Sequence, residues 1–271
     1  MSVTPEQAQR AENLTEDAIT ALTKARTAIM SAAEGTVGVD KQLERREDEI
    51  AYLSTKADDI RESANAEEMG PHFRNAIIEA DTLRADLQKV SGAIEELVDE
   101  LHKGRTAVRV GSTALDELGK MPELSADHQA EAGRLRKTLT GFGEAMQQAG
   151  ESLTMAQDRV EAARGKLKTL QDASLDTEDK GQAADTVKDA HTGVNADATA
   201  VRENLQELGR GFDESEPEVD KAIKESIELA NAVRAGLNPE RPGDRTLPPG
   251  STDQGAQTRG SGPGQTVHLD L

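Results

Sequence analysis

The sequence predicts an all-α fold: an antiparallel bundle of about six long, coiled-coil-like helices followed by a disordered C-terminal tail. Three observations carry this. Apolar residues recur in alternating steps of four and three over long stretches, the signature of helices that pack in left-handed pairs. The composition, 35% hydrophobic and 31% charged with 1% aromatic, is that of long amphipathic helices rather than of a compact aromatic core. Gly, Pro and acidic turn residues punctuate the periodic stretches, and none of those stretches alternates at the strand period of two.

The first helix opens at Thr4-Pro5-Glu6-Gln7, where Thr4 caps, Pro5 suits the first helical position and Gln7 reaches back to complete a capping box. Its seam uses Leu14, Ala18, Leu22, Ala25, Ile29 and Ala32, and Gly35 and Gly38 are expected to end it. A second helix then runs from Val39 through Leu43, Ile50, Leu53, Ala57 and Ile60 to Ala64, with Arg46 as a polar intruder in the seam. Residues 1–66 are therefore expected to form an N-terminal helical hairpin. Gly70 and Pro71 mark the next boundary.

Helices three and four are the most regular. The third carries Leu83, Leu87, Val90, Ile94, Leu97, Leu101, Gly104, Val108, Gly111, Leu115 and Leu118 without a slip. Pro122 stops it, and Ser125 caps the fourth, which carries Leu135, Leu139, Phe142, Met146, Leu153, Val160, Leu167 and Leu170. Each has room for about 45 residues, roughly 70 Å. Folding the chain about Pro122 would set Gly111 opposite Gly133, Gly104 opposite Gly141 and Gly92 opposite Gly150, an arrangement that would let two backbones approach closely. Helix five is expected around Val194, Ala198, Val201, Leu205 and Leu208. A turn follows at 209–218, with Ser215 and Glu218 as a second capping box, and helix six uses Val219, Ile223, Ala230, Val233 and Leu237. Residues 71–237 thus form the long hairpin and two further helices, and residues 238–271 are a Pro/Gly-rich tail.

The chemistry-bearing residues are sparse. There is no Cys, so disulfides, thiol catalysis and thiolate metal sites are absent together. The five histidines, His72, His102, His128, His191 and His268, never stand at i, i+3 or i+4, and no Glu-x-x-His occurs of the kind that holds di-iron in bundles. Asp99 with His102 is the nearest approach to a ligand pair. No phosphate-binding Gly-rich loop or nucleophile elbow is present. No catalytic, cofactor-binding or metal-binding residue is assigned, and the chain is expected not to be an enzyme. A net charge of −19 argues against binding phosphate backbones and favours a basic protein partner. With no apolar run near membrane-spanning length and a polar start, the expected location is cytoplasmic, with signal-independent export left open. Arg and Ala usage is of the kind a GC-rich bacterial genome produces.

Residues 4–66 resemble in outline the small helical hairpins exported by type VII secretion systems of actinobacteria. The W-x-G turn of that family has no counterpart, and the sole tyrosine reads Tyr52-Leu53-Ser54-Thr55-Lys56, where the export motif would end in Asp or Glu. The chain is not assigned to the family.

The leading expectation is a structural or interaction protein, a scaffold or adaptor, held together by seam residues Leu97, Leu101, Leu115, Leu118, Leu135, Leu139, Phe142 and Leu153. A homo-oligomer would serve equally to cover the long helices. One alternative places the address in the tail, where Val267, Leu269 and Leu271 alternate with polar residues and could add to a partner's sheet edge. Others are a ligand-sensing bundle, whose Ala and Gly seam positions leave a cavity, and a type VII-like secreted helical protein.

Overall fold

A computed structural model describes residues 3–173 and 179–237. Five helices follow in order: α1 (Pro5–Glu44), α2 (Glu47–Glu62), α3 (Ala66–Gly119), α4 (Ala126–Gln171) and α5 (Lys180–Leu237). They make four rods, because α1 and α2 are successive parts of one. Around the bundle the α1–α2 rod packs on α3, α3 on α4, α4 on α5, and α5 on the first rod again, while the diagonals scarcely meet. At 1.5 Å per residue the 54 residues of α3 and the 58 of α5 extend about 80–87 Å.

The count of about six helices is corrected at two places. Helix α1 runs straight through Gly35 and Gly38 to Glu44. The reason is tertiary: a Cβ at Gly35 would overlap the Leu97 side chain of α3, so the glycine serves helix packing rather than helix termination. Buried Thr36 and Val39 carry the seam across it, and Thr36 satisfies its hydroxyl by donating to the Ala33 carbonyl (2.8 Å). The chain breaks instead at Arg45–Arg46, and no hairpin forms over 1–66. Both α1 and α2 pack on α3 and α5, not on each other. The register is common to both sides of the break: Arg26 meets Asp220, Arg202 meets Asp40, and Arg61 meets Asp185 along α5.

The second correction is in α5, which continues through the expected turn at 209–218 with Pro217 inside it. Ser215 is not a cap; its hydroxyl donates back to the Gly211 carbonyl (2.7 Å). Pro71 likewise lies inside α3, one turn past its start. As the sixth helical residue it lies past the first-turn donors that lack intrahelical partners, and it forfeits the hydrogen bond that would close on the Glu67 carbonyl. Asn65 caps that start, accepting from the Glu68 amide (3.0 Å), while the Glu68 carboxylate accepts from the Ala64 amide (2.9 Å).

Two expected caps are present. Thr4 accepts from the Gln7 amide (3.2 Å) and the Gln7 side chain accepts from the Thr4 amide (2.8 Å). Ser125 accepts from the His128 amide (3.2 Å).

The glycines of α3 do bring two helices close, but the partner is α1, not α4. A Cβ at Gly111 would lie 2.5 Å from the Ala21 Cβ, and one at Gly104 would lie 2.6 Å from the Ala28 Cβ. Gly35 against Leu97, Ala28 against Gly104 and Ala21 against Gly111 thus repeat one heptad apart along an antiparallel small-residue seam. Across the α3–α4 seam Gly111 faces Leu139 and Gly104 faces Met146. Gly133, Gly141, Gly150 and Gly92 open onto free space, so the expected glycine pairing does not occur. The turn at 120–125 sets the two helices in a different register from a symmetric fold about Pro122. Leu97, Leu101, Leu115, Leu118, Leu135, Leu139, Phe142 and Leu153 are all buried in the core that these seams enclose.

Candidate functional site

The seam between α4 and α5 opens into a cleft of about 310 Å³. Its walls follow from local sequence. On α4 the positions facing α5 include Ala145 and Ala149, too small to bridge the gap, beside the larger Phe142 and Met146. On α5 Gly211 contributes no side chain, and an added Cβ there would meet no atom within 4 Å. Leu208 and Phe212 complete the apolar lining and Ile29 of α1 forms the floor. Pro217 lies just beyond. It lacks the amide that would bond to the Asp213 carbonyl, which weakens the helix ladder next to the cleft. Ser215, bonded to the carbonyl four residues back, acts in the same direction.

One end of the cleft is polar. The Asn204 amide group donates to the Ser152 hydroxyl (2.8 Å), bridging α5 to α4, and the Asn204 Oδ1 is buried without a partner. Glu207, one turn further on α5, is the only charged side chain lining the cleft.

A second notable region surrounds the break in the first rod. Arg202 of α5 pairs with Asp40 (2.8 Å), Glu44 (3.9 Å) and Glu47, so one guanidinium spans both sides of the break. Arg46 keeps the seam spacing between buried Leu43 and Ile50 and is itself half-buried. It stands at the break itself and pairs with Glu49 (2.5 Å) and with Asp86 of α3 (3.2 Å). Burial, reinforced by the neighbouring charge of Glu49, holds the Glu79 carboxyl above the ordinary carboxylate range, with Arg46 opposing part of the effect. The Glu49 Oε2 is buried and accepts no hydrogen bond.

A third recess, between α3 and α4, is open and mixed in charge, with Arg109, Arg136 and Lys137 beside Asp116 and Glu144. Asp116 pairs with Arg136 and with Lys120 beside the recess, which holds its carboxyl below the usual range, the hydrogen bond from Lys120 being the main cause. Asp99 and His102 are both exposed. His72 lies 3.2 Å from Asp59, and burial, with Lys188 nearby, pushes the His191 imidazole down. Among the described residues no group of three or more His, Asp or Glu converges on a metal-sized site, and no helix is long and apolar enough to cross a membrane.

Val267, Leu269 and Leu271 lie outside the described residues. A cavity at Ala and Gly seam positions was one expectation from sequence, but its place was not, because residues 209–218 read there as a turn. The missed signal is periodic: Val201, Leu205, Leu208, Phe212, Ser215, Val219 and Ala222 keep the alternating four and three steps through Gly209, Gly211 and Pro217. Compared with family models, curated proteins and solved structures, the chain matches none.

Proposed function

We propose that the protein is a non-enzymatic interaction protein, a stiff acidic rod that holds partner surfaces at a set distance. The observation that carries this reading is the continuity of the core. It runs from Ala8, Leu118, Ala132 and Val233 at one end to Ile60, Phe73, Leu170 and Ala183 at the other, all buried. The rods are also tied across their seams at intervals. Arg234 pairs with Glu12, Arg26 with Asp220 and Glu216, Arg202 with Asp40, and Arg61 with Asp185 along one face. These pairs are exposed or half-buried and contribute modestly to stability each, but their spacing resists sliding of one rod past another. The net charge of −19 favours a basic partner surface, which would be steered to the rod electrostatically and released by salt.

The test uses photo-crosslinking residues at exposed positions along the rod, in the full chain and in a chain ending at Leu237. A partner crosslinked to the rod in both chains, and lost at high salt, supports the reading. A partner lost with residues 238–271 would instead assign recruitment to the tail, and triple substitution of Val267, Leu269 and Leu271 in the full chain would test those positions. The absence of any crosslinked protein would overturn the interaction role.

A further inference from the structure

We propose that the α4–α5 cleft is a binding site for a small cationic amphiphile: an aromatic or branched apolar body carrying a primary amine. The inference is independent of the spacer reading.

Three observations carry it. The first is size. A cleft of about 310 Å³ falls at the lower end of small-molecule sites, which admits a bicyclic or short branched body and excludes a long acyl chain. The second is composition. The whole chain has three Phe and one Tyr, and two of the three Phe, Phe142 and Phe212, meet here. Met146 stands beside them in the wall, with its thioether end packed into the notch at Gly104 of α3. A chain that places half of its four Phe and Tyr side chains on one incompletely filled seam has a surface suited to stacking and to cations over ring faces. The third is charge. The only ionised group lining the cleft is Glu207, and Asn204, on the same face one turn away, brings a buried oxygen with no donor. An ammonium end pairs with the exposed Glu207 carboxylate. A carboxylate end would face Glu207 with no cation among the lining residues to compensate.

Gly211 supplies a test that leaves the fold intact. A Cβ at this position meets open space, so Gly211→Leu fills the cleft without forcing the backbone, and it removes a helix-weakening glycine. Ala145→Phe, at an exposed lining position, blocks the mouth from α4 as a second variant.

The full chain, labelled with ¹³C at its methionine methyls and with Met146 assigned through Met146→Leu, would be titrated with three probes sharing one ring system. These are 1-naphthylmethylamine, 1-naphthalenemethanol and 1-naphthoate. The expected result is a saturable shift of the Met146 methyl with the amine tightest and the alcohol roughly two- to fivefold weaker, as for a single exposed ion pair. The carboxylate should produce no shift. Glu207→Gln should bring the amine to the level of the alcohol. Gly211→Leu and Ala145→Phe should abolish every shift while the thermal midpoint of Gly211→Leu stays equal or rises. No Met146 shift with the amine at millimolar concentration overturns the site. So do shifts that persist in both filled variants. Equal binding of amine and carboxylate overturns the charge assignment.

Discussion

Gly111→Ala is the most informative single change in the bundle. In an open helix position this substitution stabilises by about 1 kcal/mol, because glycine is the poorer helix former. Here the added Cβ would sit 2.5 Å from the Ala21 Cβ, 3.2 Å from a Leu139 methyl and 3.7 Å from the Ala18 Cα. The Ala21 methyl has no torsion by which to move aside, so α1 and α3 must part by about 1 Å to restore ordinary van der Waals contact. Overpacking of this kind costs about 1–3 kcal/mol, and the rigid partner places it towards the upper end. After the helix-propensity gain is subtracted, a net loss of about 1–2 kcal/mol is expected. That corresponds to a fall of roughly 2–8 °C in thermal midpoint for a chain of this size. Gly133→Ala and Gly150→Ala, which meet nothing within 4 Å, should each raise stability by about 0.5–1 kcal/mol. Calorimetry and urea unfolding on the three variants would measure both signs. Adding Ala21→Gly to Gly111→Ala should recover stability to within about 1 kcal/mol of the parent. If Gly111→Ala proved as stable as Gly133→Ala, the close seam between α1 and α3 would be refuted.

Other expectations follow from single side chains. Leu101, 1% exposed, should cost about 2–5 kcal/mol when truncated to Ala, read from the urea midpoint. Pro217→Ala restores a hydrogen bond inside α5 and should stabilise by about 1–3 kcal/mol, with slower amide exchange over residues 213–217. Glu79 is held above its ordinary value of 4.5 by burial and Glu49. Its folded form therefore binds a proton more readily than its unfolded form. The stability it contributes is present below that value and is lost as pH rises through the folded one. Glu79→Gln should accordingly raise the thermal midpoint at pH 7, and the gain should close by about pH 4.

The legible parts of the fold were those where one signal acted alone. Thr4 and Ser125 are caps because a short oxygen-bearing side chain precedes a polar first turn, and the geometry needs nothing from the rest of the chain. The heptads of α3 and α4 identified buried positions, since only one face of each can be covered. The errors came where two signals competed. Gly35 with Gly38, and Gly209, Gly211 and Pro217, are local breakers lying inside an unbroken heptad. At these places the period prevailed, because burying the seam on neighbouring rods outweighs about 1 kcal/mol per glycine and about 3 for one proline. Arg45–Arg46 shows the reverse. Nothing in the dipeptide breaks a helix by propensity, and the interruption coincides with a cluster of ion pairs to α3 and α5 that sequence does not bring together. The place of the cleft was hidden for a related reason: it arises where Ala145 and Ala149 of α4 meet Gly211 of α5, a matter of register between two helices rather than of either alone.

The central claim is that the first rod runs on through its glycines rather than folding back. The absence of cysteine makes this directly measurable. Asp17 and Asp58, both exposed, replaced by Cys and spin-labelled, should give an interspin distance of about 60 Å by double electron–electron resonance, from 1.5 Å per residue. A hairpin turning at Gly35–Gly38 would set the same two positions side by side, with their helix axes about 10 Å apart. A distance near 60 Å is the result the four-rod bundle predicts; a distribution centred below about 25 Å would contradict it.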